Sequence, residues 1–214
     1  MIRVAKSNKV PESLLKTNSY DGEDVKQQLF HDQHNKCYLC ERKVTTDFQI
    51  EHFKSQENYP KLRIEWTNLL LSCDYCNQKK GSRYDDILNP LDCNIEDIIE
   101  QSLDYSTNKA EFRSEIDSEQ VRNTIALLNT IFNGSSMLRK FKEAKFFEEI
   151  EGLLNRFVQK VNVYKLSHSH FAEESIRQEL SIDEELLGFK YWIIKKDDEL
   201  SATFANDIVW NKIA

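Results

Sequence analysis

The apolar positions of this chain follow two periods. Val25, Leu29 and Phe30 recur at helical spacing and predict a first helix over 22–34. The β-branched and aromatic run over 43–53 (Val44, Thr45, Thr46, Phe48, Ile50, Phe53) predicts a strand or hairpin. A polar stretch, 54–67, reads as a loop, and a short helix is expected from about 73 to Gly81-Ser82. After Leu88-Asn89-Pro90 the composition changes. Residues 94–104 predict a short acidic helix, and 105–118 are polar with one candidate strand at Phe112. Val121, Ile125, Leu128 and Phe132 form one helical stripe closed by Asn133-Gly134. Ser135-Ser136 then predict the cap of a long helix through about Val163, with Met137, Phe141, Phe146, Ile150, Leu153, Leu154 and Phe157 on its apolar side. A helix near 169–180 and a short segment around Tyr191-Trp192-Ile193-Ile194 follow. The N-terminal stretch Ile2-Arg3-Val4, then Pro11 to Leu15, reads as an edge strand and turn, or as a tail ordered on a partner. The class is therefore α+β, mainly helical: a mixed unit over 1–92 followed by a helical one over 93–214.

Charge divides along the same line. Residues 1–80 carry 13 Lys and Arg against 11 Asp and Glu, whereas residues 81–214 carry 16 against 25. A 40% hydrophobic content supports a true core, and no repeat or low-complexity tract interrupts it. No signal segment and no apolar run of about 20 residues is present, so a cytoplasmic protein with no membrane association is expected. In such a compartment five cysteines argue for a metal rather than for disulfides.

Four of the five lie in two knuckles, Cys37-Tyr38-Leu39-Cys40 and Cys73-Asp74-Tyr75-Cys76. Each knuckle offers two thiolates to one side of an ion, so Cys37, Cys40, Cys73 and Cys76 predict one tetrahedral zinc. Closed on four protein ligands, that zinc is structural. Cys93 is left as a small buried hydrophobe. His31 and His34 read as helix-end or surface residues, and His168 and His170 have no partner pattern.

Between and after the knuckles stand Ile50-Glu51-His52-Phe53, Trp66-Thr67-Asn68-Leu69 and Asn77-Gln78-Lys79-Lys80. This order of residues resembles the HNH endonuclease family, the zinc-stapled ββα-metal nucleases, in its H-N-N variant. The resemblance implies a ββα-metal core over 37–80, with His52 as general base, Asn68 tying the loop that aims it, and Asn77 in the last motif position. Glu51 and Asn77 supply a carboxylate and an amide oxygen, which suits Mg²⁺ or Mn²⁺. Glu51 and His52 are neighbours, so a regular strand would point them to opposite faces, and the strand is expected to stop or bulge there. Lys79 and Lys80 read either as a solvated helix face or as nucleic-acid phosphate contacts.

The similarity extends to Pro11-x-x-Leu14-Leu15, Cys76-Asn77-x-Lys79-Lys80-Gly81 and Leu88-Asn89-Pro90, and so to the HNH subunit of bacterial Septu anti-phage systems (PtuB-like), also found beside some retrons. The resemblance implies a DNA-cleaving effector in a hetero-oligomer with an ABC/SMC-like ATPase subunit (PtuA-like). Ser55 departs from that pattern, where relatives often carry proline in the loop after the Glu-His pair. The acidic second half, with its aromatics Phe146, Phe147, Tyr191 and Trp192, is expected to dock the partner. A stand-alone restriction-type enzyme and a zinc-stapled binding module without catalysis are the alternatives; the first would need its own DNA-reading domain, the second would not need Glu51, His52 and Asn77 together.

Overall fold

The structure is a computed structural model that describes residues 1–16 and 19–211. A short helix α1 (Glu12–Lys16) leads to α2 (Glu23–Asp32), which buries Val25 and Leu29. The predicted strand is shorter than its apolar run: β1 spans Phe48–His52 and pairs antiparallel with β2 (Leu69–Cys73), Phe48 opposite Cys73 and His52 opposite Leu69. All five residues of β2 are buried. Its other edge is closed by a side chain, since Gln33 accepts the Leu71 N–H (2.7 Å) and donates to the Leu71 carbonyl (2.9 Å). Helix α3 (Asp74–Lys80) leaves β2 without a loop, and Cys73 is both the last strand residue and the helix N-cap. The ββα unit expected from the sequence is thus present.

The region after residue 92 is less purely helical than its composition suggests. Helix α4 is one turn (Ile95–Ile98), and Glu100–Asp104, expected as its continuation, is strand β3, paired with β4 (Lys109–Arg113). The turn between them is fixed by the Asp104 carboxylate, which accepts the Ser106 N–H (2.9 Å) and the Ser106 and Thr107 hydroxyls (2.6 Å each). Such local side-chain acceptance favours a turn over a helix. Helix α5 (Glu119–Asn133) is capped by Ser118 and stops at Gly134, whose φ of +83° a side chain would resist. Helix α6 runs Phe141–Ser167 and is capped at Lys140 rather than at Ser135-Ser136, because 135–140 form a bent connection. Helices α7 (His170–Glu179), α8 (Leu187–Lys195) and α9 (Asp198–Phe204) finish the fold.

One apolar cluster runs across position 92. It joins Leu69, Leu70, Leu71 and Tyr75 to Ile95, Phe112, Phe132, Phe146 and Phe189. Tyr75 is the hinge pin: its ring stacks on Phe146 at 4.4 Å and its hydroxyl donates to the Ile131 carbonyl (2.8 Å). A second, smaller cluster lies among α6 to α9, around Phe157, Ile176, Leu187 and Phe204. The aromatics expected to dock a partner are spent inside: Phe146, Phe147 and Tyr191 are buried, and Trp192 is half-buried with its indole N–H on the Ile99 carbonyl (2.9 Å). Among the described residues no helix is long and apolar enough to cross a membrane.

Candidate active site

The two knuckles close on each other. The Sγ atoms of Cys37, Cys40, Cys73 and Cys76 all lie within 4.8 Å of one another, and Cys40 and Cys73 are 3.9 Å apart. Four sulfurs at about 2.3 Å from a tetrahedral zinc would stand about 3.8 Å apart, and a disulfide would need about 2.05 Å. The first knuckle is a tight turn, with the Cys37 N–H on the Arg42 carbonyl (3.0 Å) and the Glu41 N–H on the Cys37 carbonyl (2.8 Å). In the second, the Cys76 N–H donates to Cys73 Sγ (3.4 Å) at the positive end of α3. Burial pushes the Cys40 and Cys76 thiols up, while hydrogen bonds from the other cysteines hold Cys37 down against the same burial, and four thiolates gathered in one buried site need a cation among them. The donor set, spacing and burial fit zinc.

β1 carries Glu51 and His52 to its end, and the 310 turn Trp66–Asn68 returns the chain to β2 beside them. His52 Nε2 lies 2.9 Å from the Arg63 carbonyl oxygen. A carbonyl can only accept, so Nε2 carries the hydrogen and Nδ1 keeps its lone pair in the neutral ring. Burial lowers the His52 pKa, opposed by that hydrogen bond, and so favours the neutral form. The Tyr20 ring meets the imidazole edge to face at 4.7 Å and fixes its plane.

Asn68 holds the loop that supplies the Arg63 carbonyl. Its Oδ1 accepts the Lys54 N–H (2.7 Å), and its Nδ2 donates to the carbonyls of Lys54 (3.0 Å) and Leu62 (3.1 Å). Leu62 is the residue before Arg63, so the amide clamps both ends of the loop over the imidazole. The far side is fixed by Asp85, whose carboxylate accepts the Ser55 N–H and hydroxyl (2.7 Å each) and the Asn58 amide (2.7 Å). Those bonds help hold the Asp85 carboxyl below its usual range, against the upward push of burial. Serine at position 55 brings an N–H that proline lacks, so hydrogen bonds rather than a ring stiffen this loop. Nothing local in the sequence marks Asp85, because its partners lie about 30 residues away.

Glu51 is buried and its Oε1 pairs with Lys80 Nζ at 2.8 Å. Burial raises the Glu51 pKa, and Lys80 opposes that rise. Lys80 has no exposed side-chain surface, and its Nζ also donates to the His52 carbonyl (3.1 Å) and lies 3.8 Å from Asp85 Oδ1. It points inward to the site, so it is not placed to meet a phosphate at the surface. Periodicity carried that signal: Lys80 follows Cys73 by seven and Cys76 by four, which puts it on the cysteine face of α3. Lys79 turns about 100° away from Lys80 and pairs with Glu143 of α6. Asn77 shares the Lys80 face one turn earlier, half-buried, and its side-chain amide makes no hydrogen bond among the described residues. The second Glu51 oxygen is likewise uncommitted. A hard divalent ion that keeps most of its own waters takes oxygens of these two kinds. His31 lies beside Asp32, His34 is 2.8 Å from Asp183 and His168 is 2.7 Å from Glu199; these contacts lie at or near the surface, away from His52. His170 opens α7 and is exposed.

A cysteine-stapled ββα unit with this histidine at its strand end defines a class, and residues 37–83 are an HNH endonuclease domain by their match to the family of that description. Two curated relatives are more particular. The chain is similar to the Septu protein PtuB of Bacillus thuringiensis, 38% identical over 86 residues, which cover 37% of this chain and 34% of that protein. It is also similar to the Septu protein PtuB of Bacillus mycoides, 28% identical over 171 residues, covering 73% of this chain and 51% of that protein. The chain thus spans between about a third and about half the length of these curated relatives.

Proposed function

We propose that this chain hydrolyses phosphodiester bonds in DNA with a divalent ion, as the nuclease effector of an anti-phage complex that includes an ABC/SMC-like ATPase subunit. The observation that supports the chemistry is His52 anchored through Nε2 to the Arg63 carbonyl, which in the neutral ring leaves Nδ1 to accept a proton; the reading assigns Glu51 and Asn77 to the same site. Nδ1 takes a proton from water as its oxygen attacks phosphorus, and the scissile P–O bond breaks on the opposite side. A Mg²⁺ or Mn²⁺ ion, when bound by Glu51 and Asn77, supplies charge stabilisation to the phosphate and to the departing oxygen. Asn68 positions the base through the 54–63 loop, and Lys80 holds the Glu51 carboxylate at the floor. Zinc in the four-cysteine site keeps α3 against the hairpin and takes no part in bond breaking. The similarity to PtuB proteins supports the defence role and the partner.

The experiment is cleavage of plasmid and linear DNA by the purified chain, with and without a co-expressed, neighbour-encoded ATPase. Chelation is expected to stop cleavage, and Mg²⁺ or Mn²⁺ to restore it. His52→Ala should lower the rate by about 10²- to 10⁴-fold while the protein stays folded. Cleavage by His52→Ala at the parent rate refutes the assignment of the base. A chain that cuts no nucleic acid in either preparation is a binding module instead.

A further inference from the structure

The connection from α5 to α6 carries a feature that the proposed chemistry does not use. Met137 is 96% exposed, and Leu138 and Phe141 are 80% exposed each. Residues 135–145 also hold four cations, Arg139, Lys140, Lys142 and Lys145, against the single acid Glu143, in a half of the chain that is otherwise strongly acidic. The base of the segment is pinned. The Arg139 guanidinium lies 3.5 Å over the Phe147 ring and donates to the Phe132 carbonyl (3.2 Å) and to Asn133 Oδ1 (3.1 Å). The Lys140 N–H donates to Glu143 Oε2 (2.8 Å). The apolar side chains therefore project from a fixed loop.

That loop adjoins α3. Glu143 pairs with Lys79, and Lys142 Nζ lies 3.6 Å from Asp74 Oδ2, on the turn of α3 just before Asn77. Deepening the nuclease reading on which it rests, we propose that residues 137–145 are a nucleic-acid contact, in which Lys140, Lys142 and Lys145 meet phosphates while Met137, Leu138 and Phe141 meet bases. A nucleic acid is the occupant that offers negative charge and apolar π-faces together, and apolar side chains flanked by cations wedge against base steps or stack on splayed bases. The acidic remainder of the second half repels a polyanion and leaves this rim as its approach to α3. A second exposed apolar pair, Leu166 and Phe171, has only Lys165 and His168 nearby, paired with Asp197 and Glu199, whereas the proposed segment has four cations to one acid, of which Lys142 faces Asp74 and Lys145 pairs with Glu148. It serves as an internal control.

The test is equilibrium binding of the full chain to a short fluorescent DNA duplex and to its single strand, over a salt series without added divalent ions. Lys140→Ala/Lys142→Ala/Lys145→Ala should weaken binding and make the slope of log K against log salt shallower by about two to three, at about 0.9 per phosphate contact. Met137→Ser/Leu138→Ser/Phe141→Ser should weaken binding about tenfold with the slope unchanged. Leu166→Ser/Phe171→Ser should bind as the parent does. All substituted side chains are exposed, and unchanged melting confirms that each variant is folded. The assignment is overturned if both triple variants match the parent in affinity and slope, if the control pair weakens binding equally, or if the parent binds neither DNA form at low salt. A parent that binds DNA through this segment but cuts none with any divalent ion supports the contact and refutes the nuclease reading. Cleavage by the parent with unchanged binding by both triple variants does the reverse.

Discussion

Lys80→Met is the most informative single substitution in the site, because it keeps the bulk of the side chain and removes only its charge. In the parent, Lys80 Nζ is 2.8 Å from Glu51 Oε1, with both side chains buried. At an effective dielectric of about 20 that separation corresponds to about 6 kcal/mol of gross attraction, most of which is offset by the desolvation of the two groups. Removing one partner leaves the other charge buried and alone, which costs about 3–5 kcal/mol. For a chain of this length each kcal/mol moves the melting temperature by about 2–4 °C, so a fall of about 10 °C is expected. Glu51→Gln/Lys80→Met removes both charges and should recover most of the loss. The sign of the pH dependence follows from Glu51. Without Lys80 what acts on it is burial first, then the neighbouring Cys37 and Asp85, and all three raise its folded pKa above the unfolded value. A carboxyl of that kind favours folding below its unfolded pKa and loses this contribution as pH rises through the folded one. The gap between Lys80→Met and the parent should therefore narrow on acidification. Thermal melts and urea unfolding of parent, two single variants and the double variant, with zinc saturating, complete the cycle. A Lys80→Met protein as stable as the parent, or a double variant no better than Lys80→Met, refutes the pair as described.

Three further outcomes are expected. Burial sets the His52 pKa below the ordinary value of about 6.5, so cleavage should hold from neutral pH down and fall only below that value; an acid limb centred above 6.5 contradicts it. Stability moves the same way, since the folded state binds this proton less readily: the His52 contribution is complete above the unfolded pKa and lost as pH falls through the folded one. Asn68→Ala leaves the Lys54 N–H and the Leu62 carbonyl without their partner, costing about 1–3 kcal/mol per buried group, and should lower kcat more than it raises KM; Asn68→Asp, which keeps only the acceptor, should fall between. Cys76→Ser should lose bound zinc and yield insoluble protein, read by metal content and yield, because metal binding and folding are one process in such sites.

The stapled hairpin and the positions of Glu51, His52 and Asn68 were legible because their spacing is local and their residue types are few. Glu51 pairs with Lys80 and His52 meets the Arg63 carbonyl, and the β1–β2 register runs unbroken through both up to the strand end at His52. The inward turn of Lys80 was legible in principle from helical period, but two adjacent lysines read equally well as a solvated face or as phosphate contacts. Asp85 was not, since its role depends on Ser55 and Asn58, which only the fold brings to it. The start of α6 was misplaced because Met137 and Phe141 continue an apolar period that the chain turns outward. What diverts it is Arg139, whose guanidinium covers Phe147 and ties back to the end of α5.

The position of Tyr75 bears on how this protein can be rearranged. Its ring and hydroxyl are held by α5 and α6, while its helix carries two of the four cysteines. The recognisable segment is therefore not a portable cassette: a cut after residue 92 strips Phe146 and Ile131 from the helix that presents Asn77, and bares one wall of the four-cysteine site. Recombination that exchanges the second half must bring a socket for Tyr75 and a carboxylate for Lys79 with it. Lineages related to this chain are expected to trade the two halves together, or to diverge in both at once.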